Sequence, residues 1–425
     1  MRNSSFVFRL FILFCLFLSQ FVDASAQWIE ENPFTGHQFL AFDFPTEKKG
    51  YALVREEGAG VEVYYTDTEG ENWQKVGGEF IEGVPRSLLA ISFPTEQVGY
   101  VLLRASNPSL ASYVFKTEDG GKNWKDISPK GLEVGTGNAD VVFLTEKIGY
   151  CTTGNRIHST TDGGESWSGH HFEFWTDVSQ IDFYNGDFGI VGAWDGTFAY
   201  RGRIYTTKNG GETWDSLFIE DYQSAVTKVD YTDNNTAYAL GGYAFTSAQP
   251  LYKTSNAGNS WDTLRLHFLK DSADQAMDMH FLSSKTGYIV TSQGYIYKTE
   301  DGGENWSYSH GKTQNIQHIS SNGRSLFVGG PKGILLRSSN QVGLRTDLYQ
   351  SYAVYPNPCS RNGIIFIQGL SPGRYKLMNT MGQVQTIVNL TGNGQLELSQ
   401  WHLSTGSYFL RNTSSGTTIQ FMVQD

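Results

Sequence analysis

"TEDGGKNW" occupies Thr117 to Trp124, and "TEDGGENW" occupies Thr299 to Trp306, 182 positions further on. Related octets stand at "TTDGGESW" (Thr160 to Trp167), "TKNGGETW" (Thr207 to Trp214) and "TSNAGNSW" (Thr254 to Trp261). A looser copy, "TDTEGENW", covers Thr66 to Trp73. The six tryptophans are spaced by 43 to 51 residues. One supersecondary unit repeated at that period predicts a β-propeller in which each copy is a four-stranded blade.

The residue types suit a β-turn. The carboxylates of Asp119, Asp162 and Asp301 can accept hydrogen bonds from N–H groups of their own turn. Asn209 and Asn256 keep a carbonyl acceptor there, and Thr68 a hydroxyl. Gly121, Gly164, Gly211, Gly258 and Gly303 follow two residues later, where the backbone needs positive φ. Trp124, Trp167, Trp214, Trp261 and Trp306 can bury a large ring between blades. The residues before each box alternate like a strand, as in "SYVFKT" and "GYIYKT". Each box therefore reads as the turn between strands three and four.

A second repeat counts the blades. "FDFPTEKKGYALV", "ISFPTEQVGYVLL", "VVFLTEKIGYCTT", "IDFYNGDFGIVGA", "VDYTDNNTAYALG", "MHFLSSKTGYIVT" and "HISSNGRSLFVGG" make seven copies against six boxes. After the seventh comes "KGILLRSSN", and the expected tryptophan position holds Arg345. "QWIEENP" at Gln27 resembles "NWKDISP" at Asn123, and Trp28 lies 45 residues before Trp73. Residues near 27–32 are therefore expected to pair with the strand at 332–338. Such closure leaves no open edge between first and last blades.

The pattern Ser/Thr-x-Asp-x-Gly-x-x-Trp resembles the Asp box, or BNR repeat, of sialidases, sortilin-type receptors and photosystem II assembly factors. In those families the box is structural and lies away from the ligand face. The resemblance therefore implies a propeller and leaves the function open.

The two ends read differently. Residues 1–26 carry Arg2 and Arg9, a short apolar run "LFILFCLFL" and "ASA" at Ala24 to Ala26, which predicts a cleaved signal peptide and no membrane span in the mature chain. Residues 27–344 are assigned to the propeller and 345–354 to a linker. From 355 to 425, short strands separated by Gly and Asn suggest a small immunoglobulin-like β-sandwich. Tyr355, Pro356, Asn357 and Pro358, with "LMNTMGQV" from Leu377 and "LSTGSYFLR" from Leu403, resemble the C-terminal sorting domain of type IX secretion. That resemblance implies export through the periplasm to the cell surface or medium, with the secretion machinery as a partner.

Charge narrows the partners. Net charge is −11; residues 1–26 carry +1 and the stretch from Arg345 onward +2, which leaves −14 on the propeller. Such a surface repels phosphate backbones and argues against nucleic acid. After signal removal only Cys151 and Cys359 remain, in different domains, so neither a disulfide framework nor a metal site is expected. The adjacent pair His170 and His171 would point to opposite faces of a strand. No cofactor motif is present: there is no Walker loop, no Gly-x-Ser-x-Gly and no HExxH. The sialidase pattern fails as well. No "RIP" occurs, and no arginine lies between the signal and Arg55.

The loops between strands two and three should carry any ligand, because they lie opposite the box turns. They are long in blades two ("RASNPSLAS"), four ("GAWDGTFAYRG") and five ("GGYAFTSAQP"). Trp175, Trp194, Phe198, Tyr200 and Tyr243 are aromatics outside the repeat, flanked by His171, Asp177, Asp195 and Arg201. They are candidates for an aromatic platform with polar arms that binds a glycan or a protein. The sequence thus predicts an all-β chain, a seven-bladed propeller followed by the small sandwich. The expected role is a secreted or surface-displayed binding module without catalysis. The alternatives are an Asp-box glycoside hydrolase and an assembly factor for surface complexes.

Overall fold

The computed structural model describes residues 28–338 and 353–424, except 32, 56–59, 79–85, 106–111, 130–138, 173–175, 196–200, 220–224, 243–248, 268–273, 312–315, 356–358, 369–372, 380–382, 391–393 and 413–417. The expected signal peptide, Gln27 and all but the last two residues of the expected linker lie outside that set.

Among the described residues there are seven four-stranded antiparallel sheets. Blade one is Gln38–Asp43, Gly50–Arg55, Val61–Thr66 and Gln74–Gly77. Blades two to six repeat this plan, beginning at Arg86, Ala139, Thr176, Ala225 and Ala276. Blade seven takes three strands from His318–Ser321, Leu326–Gly329 and Leu335–Ser338. Its fourth is Trp28–Glu30, paired antiparallel so that Trp28 faces Ser338 and Glu30 faces Leu336. Arg337 reinforces this seam, donating from Nη2 to Glu31 at 3.0 Å and Glu71 at 3.1 Å.

The box turn closes through its own side chains. In blade two the Thr117 hydroxyl donates to Asp119 Oδ1 at 2.9 Å and accepts from Gly121 N at 2.9 Å. Asp119 Oδ1 also accepts from Asn123 N at 2.9 Å, and Trp124 Nε1 donates to Gly121 O at 2.9 Å. Asp162, Asp301, Asn209 and Asn256 likewise accept the N–H four residues further on. The left-handed backbone covers two successive residues, not one: Gly120 has φ +70° and Gly121 +88°. Where the first is not glycine, Glu69 and Ala257 both take φ +55°.

Packing between blades uses the "GY" repeat. Tyr51 of blade one stacks on Phe93 of blade two, Tyr100 on Phe143, Tyr150 on Phe183, and Tyr238 on Phe281. The box tryptophan of the later blade then meets each phenylalanine edge-on at 6.1 Å. At the seam, Phe327 stacks on Phe44, and Trp28 meets Tyr288 edge-on at 6.5 Å. Buried aromatic rings thus fill these junctions, and their burial favours ring assembly.

The tail is a two-sheet sandwich. Ala353–Tyr355, Ile364–Gln368 and Gly394–Glu397 form a three-stranded sheet. Cys359–Ser360, Thr418–Gln424, Gly406–Asn412, Gly373–Asn379 and Val384–Leu390 form a five-stranded one, in that order. Ile365, Ile367 and Leu396 from the first share a core with Tyr375, Leu377, Leu410 and Phe421 from the second. The first strand begins at Ala353, two residues inside the stretch expected to be linker.

Candidate functional site

The strands of blade four bring four of the expected ligand residues to one end. Asp177 lies opposite Trp194, and Thr176 opposite Asp195, on the first two strands. Asp195 N donates to Arg201 O at 2.7 Å, which closes the neck of the loop between strands two and three. Asp177, Trp194, Asp195 and Arg201 are each half-buried. Trp175, Phe198, Tyr200 and Tyr243 lie outside the described residues.

Blades four and three each carry a buried group that sequence reasoning missed. Arg203 is 5% exposed, its guanidinium lies 3.7 Å over the Phe218 ring, and Nη1 donates to Tyr205 OH at 3.1 Å. In blade three, burial and the neighbouring Arg156 and His171 push the His158 imidazole down to about 4. His158 is therefore neutral at physiological pH, and its buried Nε2 has no hydrogen-bond partner among the described residues. Among the histidines singled out from sequence, His170 is half-buried against Phe172 and His171 is exposed, on successive positions of one strand. Cys151 is free and buried, and burial raises its thiol pKa.

A second feature lies on the ring axis. The innermost strands of all seven blades line a cavity of about 580 Å³. Asp43, Asp140, Asp182, Asp230 and Asp278 face it, together with Lys228, His280 and His318. These carboxylates bind the next blade. Asp43 Oδ2 accepts from Phe93 N at 2.6 Å, Asp182 from Tyr231 N at 2.7 Å, and Asp230 from Phe281 N. Ser92 does the same for Phe143 N at 3.0 Å. Where Val142 occupies that position, Asp140 supplies the link from two residues earlier, to Ile181 N at 3.3 Å. Asp278 reaches Ile319 N at 3.1 Å and pairs with Lys228 at 3.3 Å.

Burial pushes the Asp140 carboxyl up to about 7, against the pull of the Ile181 N–H and Lys228. His318 is pushed down to about 4 by burial and by Lys228. A third of its side chain stays exposed to the axial cavity, which tempers that effect of burial. The axial acids thus serve as backbone acceptors that hold blade to blade. Among the described residues, no group of three His, Cys, Asp or Glu is arranged to hold a metal ion. The signal was present in the sequence: Asp43, Asp182 and Asp230 each immediately precede the aromatic of the first strand.

Comparison with known proteins separates the two halves. Residues 353–424 match the family model of the secretion system C-terminal sorting domain. That match indicates export by type IX secretion, to the cell surface or the medium. Residues 253–346 match the model of photosynthesis system II assembly factor YCF48. The structure of YCF48 bound to D1 peptide is similar at TM-score 0.55 and 18% identity, over 73% of this chain and 96% of that one. YCF48 from Cyanidioschyzon merolae is similar at 0.55 and 18%, over 74% and 99%. A polysaccharide lyase of the ulvan lyase type is similar at 0.51 and 11%, over 76% and 99%. At these identities the likeness is one of fold. No curated protein matches the chain. Among the described residues no helix is long and apolar enough to cross a membrane.

Proposed function

We propose that the propeller is a binding module carried to the cell surface or the medium by its sorting domain. Its ligand face is the blade end that carries Asp177, Trp194, Asp195 and Arg201; Trp175, Tyr200 and Tyr243, sequence candidates outside the described residues, are proposed to add to it. The observation that carries this reading is the register that sets Asp177 beside Trp194 at the loop neck closed by the Asp195 N to Arg201 O hydrogen bond. An aromatic beside charged groups suits a sugar ring or a peptide. The axial carboxylates support a non-catalytic reading, because these acids are engaged with backbone N–H groups of the next blade.

A secreted carbohydrate-active enzyme is the rival, favoured by the likeness in fold to the ulvan lyase type. Purified propeller on glycan and peptide arrays, assayed in parallel for cleavage of each bound glycan, separates the two. Binding without turnover supports the module, and turnover supports the enzyme. The double substitution Trp194→Ala with Tyr200→Ala is expected to abolish binding with thermal stability kept within a few degrees. Retained binding would place the site elsewhere.

A further inference from the structure

We propose that the strand Val384–Leu390 of the sorting domain is a docking edge, which takes up an extended acidic segment of the export machinery by strand addition. This rests on the sorting role of the domain and is independent of what the propeller binds.

The first observation is the edge itself. Val384–Leu390 closes the five-stranded sheet, and among the described residues nothing pairs with its outer side. It is seven residues long and reads "VQTIVNL", with neither charge nor proline. Val384 is 48% exposed and Ile387 43%. The outer strands of the seven blades are built differently. None exceeds four residues, and five of the seven, such as "KD" and "DTLR", carry a formal charge. Short or charged edges resist pairing with other chains, and a long, neutral, apolar one invites it.

The second observation is charge. The five strands of this sheet contain no Asp or Glu. Their exposed positions include Arg374, Lys376 and Arg411. Lys376 lies directly opposite Arg411 on one side and Ile387 on the other. Like charges directly opposite on neighbouring strands repel. No carboxylate within the described residues pairs with any of the three. A carboxylate supplied from outside would relieve that repulsion, so the face is complementary to an acidic partner. The row of unpaired N–H and C=O groups beside it calls for a polypeptide backbone and not an anionic glycolipid.

The test uses the full-length chain in a host with type IX secretion, reading the fraction of protein at the surface or in the medium. Lys376→Glu with Arg411→Glu is expected to lower that fraction at least tenfold, and Lys376→Gln with Arg411→Gln to lower it less. Export of the charge-reversed chain at the wild-type level would overturn the proposal. For the edge, proline is placed at Thr386 or Ile387, choosing the variant that keeps the wild-type unfolding transition; its export is expected to fall equally. If charge reversal blocks export and the proline variant is exported normally, an anionic lipid surface reads the face and strand addition is overturned. A chain lacking residues 348–425 that still reaches the surface would instead overturn the sorting reading itself.

Discussion

The ring of Tyr51 lies flat on that of Phe93, with 3.6 Å between centroids and 4° between planes, although the two belong to different blades. Tyr51 OH continues across the junction and donates to Glu96 O at 2.7 Å. Phe93 in turn covers Gly99, where an added Cβ would stand 2.3 Å from the ring. The same contact recurs at Gly50, Gly149, Gly189 and Gly287. The glycine of the "GY" repeat is therefore required by the phenylalanine that lies on it.

Gly99→Ala should destabilise the propeller by about 2–3 kcal/mol, because Phe93 is held between Tyr51 and Trp124 and cannot give way. Gly60→Ala, where a new methyl meets nothing within 4 Å, should stay within about 0.5 kcal/mol. In a Phe93→Ala background the cost of Gly99→Ala should nearly vanish, a coupling that a double-mutant cycle in denaturant measures.

Ala257→Gly should stabilise the fold by about 1 kcal/mol, since Ala257 holds φ +55° where four of the other five boxes use glycine. Gly258→Ala should do the reverse and by more. Its φ is +82°, and a Cβ would meet Thr206 Oγ1 at 2.6 Å. Thermal melts of the two variants, one above and one below wild type, check the sign.

Two carboxylates pull the pH profile in opposite directions. Asp140 titrates in the fold at about 7, above its unfolded value, so its contribution is full at low pH and is lost as pH rises through about 7. Asp140→Asn should therefore raise stability at pH 8 by about 1–3 kcal/mol, less than full linkage because the carboxylate edges the axial cavity. At pH 4 the same variant should gain nothing. Asp162 is held down to about 2 by the Ser166 hydroxyl and N–H, so its contribution is present above the unfolded value and is lost as pH falls through about 2. Denaturant midpoints of Asp140→Asn and Asp162→Asn across pH separate these effects.

Trp28→Ala should cost about 3 kcal/mol, as large aromatic truncations do. Trp28 meets Tyr288 edge-on, its Nε1 donates to Ser309 Oγ at 3.3 Å, and its strand is the fourth of blade seven. Removing residues 28–30 should destabilise the ring at least as much. An unchanged denaturant midpoint for either variant would show that the ring holds without this seam.

Local chemistry made much of this protein legible from its sequence. The box turn depends on a hydroxyl, an acid and two left-handed residues within eight positions, so Thr117, Asp119 and Gly121 announce it without reference to anything distant. Period-two alternation marks the strands, and seven first-strand repeats against six boxes directed attention to Trp28. The tertiary structure decided what lies between blades. Phe93 and Gly99 are near neighbours in sequence, yet the reason for the glycine appears only when Tyr51 arrives from another sheet. Asp43 is one of 43 acidic residues until its carboxylate is seen to accept the N–H of Phe93, fifty positions away. At the candidate site, the residue types of Asp177 and Trp194 could be named in advance, but their pairing depends on strand register. Turns are set by dihedral preferences of a few residues, whereas blade contacts are set by closure of the whole ring, and no short stretch of chain encodes that.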